Sequence, residues 1–207
     1  MTPDAIQSLL AEQAGLSVDR EMAARLAQYL ELLLRWNART NLTAIREPEA
    51  IVLRHFGESL ACARALPQGL KTLLDFGSGA GFPGALCALA RPEIAVTLAE
   101  SQGKKAAFLA EVVRSLGLQA QVLAARVEML PAATRFDAVT LRAVDKMESA
   151  CLEARGRVLP GGWLVLMTTQ QQLRAVAPQV PGIAWRAPIP LPGTEQSVVA
   201  LGRALAS

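Results

Sequence analysis

The stretch Leu73–Gly84, LLDFGSGAGFPG, constrains this chain more than any other. An apolar run, Lys71–Phe76, carries one acid near its end, Asp75, and runs directly into four glycines, Gly77, Gly79, Gly81 and Gly84. A second apolar run, Ala85–Ala90, reads as a helix. Strand, glycine turn and helix in that order make a cradle for a nucleotide-like ligand. Glycine takes backbone angles that a Cβ forbids and lets a ligand lie on the main chain. The N–H groups opening the helix attract electronegative atoms. Pro83 stands where the helix begins, a position that tolerates a missing N–H. The loop alone does not name its ligand. Gly79–Gly84 satisfies the dinucleotide pattern G-x-G-x-x-G, which is weak by itself. A turn that only packs a helix close to a sheet is the bland alternative.

The chain on either side divides into two grammars. Residues 1–69 read as a helical extension packed on the core. Thr2 caps a first helix with Pro3 in its first turn, and Gly15 ends it. Ser17 or Asp19 starts a second, in which Met22, Leu26, Tyr29, Leu30, Leu33 and Trp36 recur every three or four residues. Asn41-Leu42-Thr43 breaks that helix, and Pro48 opens a third that ends near Pro67. Residues 70–207 alternate strands and helices. Strands are expected over Lys71–Phe76, Ile94–Ala99, Gln121–Ala124, Phe136–Leu141 and Trp163–Met167. Helices are expected up to Ala90 and over Gly103–Leu116, Met147–Val158 and Gln170–Ala177. Ile183–Ala187 and Ser197–Leu201 are candidates for a terminal hairpin. The pattern predicts an α/β fold of Rossmann-like type, with a mostly parallel central sheet and helices on both faces.

Composition narrows the class further. With 207 residues, 52% hydrophobic and 19% charged, the chain has enough apolar material for a sizeable core. No apolar run approaches the roughly 20 residues of a membrane span, and no secretion signal is legible at the N-terminus. Cys62, Cys87 and Cys151 are widely spaced, as in a cytoplasmic protein with reduced, buried thiols. His55 is the only histidine and has no partners at ligand spacing, so no metal site is expected. It sits on an otherwise apolar helix face, where a structural role outweighs that of a general base. The net charge of +3 permits an acidic partner without requiring one. Residues 1–64 carry seven Lys/Arg against eight Asp/Glu and residues 65–207 fourteen against ten, so the excess lies with the glycine loop.

Ligands of such sheets bind beyond the C-terminal strand ends, near the switch in strand order. That rule selects Asp75 and the loop Gly77, Gly79 and Gly81 after the first strand. Glu100 and Ser101 follow the second, Arg126, Val127 and Glu128 the third, and Arg142 the fourth. An acid at Glu100 suits the hydroxyls of an adenosine ribose. Val127 and Glu128 could bracket an adenine, although a surface helix start explains Glu128 equally well. Arg142 interrupts an apolar strand end and needs acceptors. A cofactor carboxylate, a phosphate, Asp75 or another neighbouring acid would serve. Lys104 and Lys105 open the next helix and, with Arg126, make a positive rim for phosphates or simply a solvated face.

Asp75 through Gly81, D-x-G-x-G-x-G, resembles the first motif of S-adenosylmethionine (SAM) dependent methyltransferases. Taken over its length, the chain resembles the RsmG (GidB) family, bacterial enzymes that methylate a guanine N7 of 16S ribosomal RNA. Trp36-Asn37 with Asn41-Leu42-Thr43 looks like that family's W-N-x-x-x-N-L-T. Arg54-His55 with Glu58-Ser59-Leu60 looks like R-H-x-x-D-S-L. Asp75–Gly84 looks like D-x-G-S-G-x-G-F-P-G. Glu100-Ser101 with Lys104-Lys105 looks like D-S-x-x-K-R, Arg126-Val127-Glu128 like R-V-E, and Phe136-Asp137 through Arg142-Ala143 like F-D-x-V-x-x-R-A. Six motifs stand in the right order.

The resemblance implies a class I SAM-dependent methyltransferase fold, with residues 70–207 as the SAM-binding core. It implies a 16S rRNA substrate within the small subunit. A monomer is expected separately, because no large apolar patch is legible outside the predicted core. The resemblance places Gly77 and Phe82 against the cofactor, and Val127 and Glu128 at its adenine. Arg142 completes the pocket or faces RNA, and Lys104 and Arg126 contact RNA. Glu58 and Glu100 stand where the family usually has aspartate, and Thr168-Thr169 where it has Lys-Gly after strand five. Guanine N7 has a free lone pair, so catalysis by orientation is expected, with Arg142 and Lys104 placing RNA and no residue moving a proton. The rivals are a SAM-binding RNA or assembly factor without turnover, a methyltransferase with another acceptor, and a nicotinamide-dependent oxidoreductase.

Overall fold

In the computed structural model, which describes residues 1–144, 146–194 and 196–205, three helical stretches precede the sheet. Helix α1 (Pro3–Ala14) is capped by the Thr2 hydroxyl, which accepts from the Ala5 N–H, and stops at Gly15 in left-handed conformation. Helix α2 (Arg20–Thr40) is capped by Asp19 and ended by Asn41 at φ 47°. Its buried residues are Ala23, Leu26, Tyr29, Leu30, Leu32, Leu33 and Asn37; of the expected face, Met22 and Trp36 are only half-buried. The stretch opened by Pro48 is not a uniform helix. Helix α3 (Pro48–Ile51) passes through a π-helical turn, Val52–Gly57, into α4 (Glu58–Ala65). Such turns are frequent at functional sites, and this one carries Arg54 and His55.

The core that follows alternates as expected. It runs β1 (Thr72–Phe76), α5 (Gly84–Ala90), β2 (Ala95–Ala99), α6 (Gly103–Leu116), β3 (Ala120–Leu123), β4 (Phe136–Arg142), α7 (Met147–Gly156) and β5 (Val158–Thr169). It closes with α8 (Gln170–Val176), β6 (Ile183–Trp185), β7 (Ile189–Pro190) and β8 (Ser197–Ala204). The strand order is β3-β2-β1-β4-β5-β8-β6, with β7 also on β8. Strands β1 to β5 are mutually parallel. Strand β8 is antiparallel to β5, β6 and β7, so the sheet is mixed. The two late strands pair, as the hairpin expectation required, but β8 lies between β5 and β6. Helix α7 stops at Gly156. Pro160-Gly161-Gly162 falls within β5, where the pairing with β4 loses register.

Alternation along the strands splits the core into two layers. Leu73 and Val165 face a layer shared with Ile6, Leu26, Tyr29, Leu33, Phe56 and Phe108. Leu74, Leu164 and Leu166 face a second layer with Cys151, Val176 and Val198. The helical extension therefore packs into the same apolar layer as α5 and α6. Cys62, Cys87 and Cys151 are free and buried. Among the described residues, no helix is long and apolar enough to cross a membrane. Strand order reverses at β1, whose neighbours are β2 and β4, and the glycine loop leaves from that point.

Candidate functional site

The loop after β1 is folded by its own short hydrogen bonds. The Ser78 N–H donates to the Ala99 carbonyl at 2.9 Å, and the Gly81 N–H to the Ser78 carbonyl at 2.7 Å. The Ser78 hydroxyl donates to the Asp75 carbonyl at 3.1 Å. Gly77, Gly79 and Gly81 have φ of 73°, 57° and 88°, angles that exclude most side chains. The four glycines do different jobs. Gly77 and Gly79 line a cleft of about 670 Å³. Gly81 does not: a Cβ there would run into the Tyr29 hydroxyl. Gly84 needs only space, since a Cβ there would lie 2.5 Å from both Asp75 and Leu98.

Asp75 also lies outside the cleft lining. It is 1% exposed, beneath the start of α5. Its Oδ1 accepts from the Thr140 hydroxyl at 2.8 Å, while Oδ2 has no hydrogen-bond partner. Burial pushes its pKa up. Its evident work is to join β1, β4 and the loop. Gly84→Ala should therefore lower stability by about 1–3 kcal/mol through overpacking against this carboxylate. Urea unfolding of the two proteins checks it.

The wall after β2 and β3 gathers the expected residues. Glu100, Ser101, Gln102, Lys105, Arg126, Val127 and Glu128 all line the cleft. The Glu100 carboxylate is buried and holds the loop, accepting from the Gly79 N–H at 2.9 Å and the Gln102 N–H at 2.7 Å. A 3₁₀ turn, Val127–Met129, buries Val127 and leaves Arg126 and Glu128 exposed at its edge. Lys104 is exposed and outside the lining, one position from Lys105.

The other wall comes from the helical extension, the end of the glycine loop, the end of β4 with the residues directly after it, and the N-cap position of α7. Leu42, Thr43, His55, Phe82, Arg142, Ala143, Val144 and Lys146 line it. Asn37 shapes it: its side chain donates to the Thr43 carbonyl and accepts from the Thr43 N–H, both at 3.0 Å. The Thr43 hydroxyl meets His55 Nε2 at 2.6 Å. The His55 ring stacks on Phe82, 4.7 Å between centroids and 14° apart. Burial, then the charges of Arg142 and Arg54, push the His55 pKa down to about 3, so the ring is neutral at pH 7.

Of the neighbouring acids open to Arg142, the one it pairs with is Glu58, not Asp75. The guanidinium pairs with the Glu58 carboxylate, donates to the Arg54 carbonyl at 2.8 Å and reaches the Ser59 hydroxyl at 3.4 Å. Glu58 also accepts from Arg54 Nε at 2.8 Å. Strand-end reasoning could not find Leu42, Thr43 or His55, because their segment precedes the sheet. The local signals there were the Asn-Leu-Thr helix break and the Arg54-His55 motif, neither of which the strand-end rule could place in the cleft.

A family model, GidB (rRNA small subunit methyltransferase G), matches residues 22–179, a span that includes both walls of the cleft. The chain belongs to this family. A "Ribosomal RNA small subunit methyltransferase G" of Xanthomonas campestris pv. campestris is 38% identical over 200 residues, covering 94% of this chain and 92% of the relative. The protein of that name from Stenotrophomonas maltophilia is 42% identical over 186 residues, covering 83% and 86%. Among solved structures, a SAM-dependent methyltransferase from Aquifex aeolicus superposes with a TM-score of 0.59 at 16% identity, covering 80% of this chain and 98% of that one. A ribosomal protein L11 methylase from Lactobacillus delbrueckii gives 0.58 at 12% identity, covering 73% and 79%. These structural likenesses fix the fold, which is that of the class I SAM-dependent methyltransferases.

The cofactor of this GidB-family enzyme is SAM, and the cleft fits it. Gly77, Gly79, Glu100 and Val127 all line it, and could hold the cofactor through close main-chain approach, carboxylate acceptors and an apolar contact. Among the described residues, no group of three or more His, Cys, Asp or Glu side chains could hold a metal ion.

Proposed function

We propose that this chain transfers the methyl group of SAM to N7 of a guanine in 16S rRNA of the small ribosomal subunit. The observation that carries the reading is the family match over residues 22–179, which takes in the loop, both cleft walls and the segment from Asn41 to His55. When bound, SAM supplies an electrophilic methyl group on a sulfonium. Gly77, Gly79, Phe82, Glu100, Ser101, Val127 and Glu128 are the residues assigned to hold it. Asp75 and Gly81 are assigned to the support of the loop.

The chain's own residues then have two tasks, to orient and to exclude water. Guanine N7 carries a lone pair at neutral pH, so no base is needed. His55, with a pKa of about 3, is a poor base in any case. Arg142 is held at the cleft wall by Glu58 and the Arg54 carbonyl, and is assigned to placing the RNA. Orientation of this kind can supply on the order of 7–11 kcal/mol. Lys104, Lys105 and Arg126 are assigned to RNA phosphates at the mouth, where contacts position without reading sequence.

The test is methyl transfer from labelled SAM to small subunits lacking N7-methylguanine, with the labelled base mapped by reduction and chain cleavage. One labelled guanine N7 is the expected result. SAM binding without transfer would favour an RNA or assembly factor without turnover. NADH binding without SAM binding would favour the oxidoreductase reading of the glycine loop.

A further inference from the structure

We infer that Tyr29, in the middle of α2, is a positioning residue for SAM that sets the shape of the cofactor loop. The inference rests on SAM binding by the glycine loop and is independent of the methyl acceptor. Tyr29 is fully buried, and its hydroxyl donates to the Ala80 carbonyl at 2.6 Å across 51 residues of sequence. Burial keeps the phenol protonated, so the hydroxyl is available as a donor. Its ring is held by Phe56, 5.3 Å away, and by Phe82, 5.7 Å away. Phe82 is itself a loop residue and lines the cleft with Ala80. The extension thus grips the loop twice, at a main-chain carbonyl through Tyr29 and at a side chain through Phe56, and the His55 ring also stacks on Phe82.

The loop needs such a grip. Three of the five residues from Gly77 to Gly81 are glycines with positive φ, and glycine has the most conformational freedom to lose. Glu100 restrains Gly79 from the β2 side. Tyr29 restrains Ala80 from the other side. Gly81 completes the fit, because any Cβ there would occupy the place of the Tyr29 hydroxyl. A residue that holds an empty loop in its binding shape lowers the cost of ordering it on binding. The helical extension is in this sense part of the cofactor site, although Tyr29 does not line the cleft.

The test is SAM binding by titration calorimetry, without RNA, on Tyr29→Phe, Gly81→Ala and the double variant. Tyr29→Phe keeps the ring and removes only the oxygen. Its Kd for SAM is expected to rise about tenfold, because a buried carbonyl loses its donor. Its KM for SAM should rise in parallel, while kcat at saturating substrates stays within about twofold. Gly81→Ala tests the same contact from the loop side, and should weaken SAM binding more in the wild-type background than in the Tyr29→Phe background. A Tyr29→Phe protein that melts earlier but binds SAM with wild-type affinity would overturn the inference. So would a Gly81→Ala effect equal in both backgrounds. Wild-type protein that binds SAM but methylates no guanine would sink the proposed acceptor and leave this inference standing.

Discussion

Replacing Glu58 by alanine is expected to cost about 3–5 kcal/mol of folding free energy, the range for removing one partner of a buried ion pair. The Glu58 side chain is 4% exposed and meets two cations. Arg54 is half exposed and can turn to solvent when the carboxylate goes. Arg142, at 15%, cannot do so without leaving the cleft wall. The destabilisation therefore comes chiefly from an Arg142 charge left half in the dark, beside Arg54 and without its anion. Glu58→Asp keeps the charge and shortens the reach by one methylene, and should cost no more than about 1 kcal/mol. Urea unfolding at pH 7.5 measures both, and thermal midpoints should follow at roughly 2–4 °C per kcal/mol in a chain of this size. A Glu58→Ala protein within 1 kcal/mol of wild type would mean that Arg142 finds another acceptor. Asp75, with an unpartnered oxygen, would be the first to examine.

That ion pair also marks where the sequence stops being legible. Apolar runs of strand length placed β1, β2, β4 and β5, whose central residues are buried, while β3 at the sheet edge is only partly covered. The glycine loop was equally clear, since positive φ at Gly77, Gly79 and Gly81 leaves few other residues possible. The division of labour among those glycines was not clear. Gly81 and Gly84 are required by Tyr29 and by Asp75 with Leu98, and the first of these partners lies far back in the chain. The Arg142 partner lies 84 residues earlier, so no local spacing could select Glu58 over Asp75. The same holds for the cleft's second wall. Strand ends pointed to the first wall and to Arg142 on the second, while Leu42, Thr43 and His55 arrive from the extension through a helix break and a π-helical turn. Several family motifs turn out to be joints. Asn37 clamps Thr43, and Asp137 accepts from the Lys71 and Thr72 N–H groups to pin the start of β1.

Acidification should destabilise the protein through His55, and His55→Gln should remove that part of the pH dependence. The ring stacks on Phe82, bonds to Thr43 and leaves Nδ1 buried without a partner. A second proton must be taken up in this setting, next to the charges of Arg142 and Arg54, which is why the folded pKa falls from 6.5 to about 3. The sign follows from the lowered value. The unfolded chain binds the proton first, so the His55 contribution is fully present above pH 6.5 and is lost as pH falls toward 3. The slope approaches about 1.4 kcal/mol per pH unit, and the loss between pH 6.5 and pH 4 is on the order of 3 kcal/mol. Asp75 acts in the opposite direction over the acid range, because burial raises its pKa and protonation relieves it. The wild-type curve alone therefore mixes the two, and the difference between wild type and His55→Gln isolates the histidine. Urea unfolding free energies from pH 7.5 to pH 4.5 should diverge in slope by nearly one proton below pH 6. Parallel curves would mean that the imidazole is solvated in the folded protein. It could then accept a proton at neutral pH, and the case for a methyl transfer that uses orientation without a base would lose its electrostatic support.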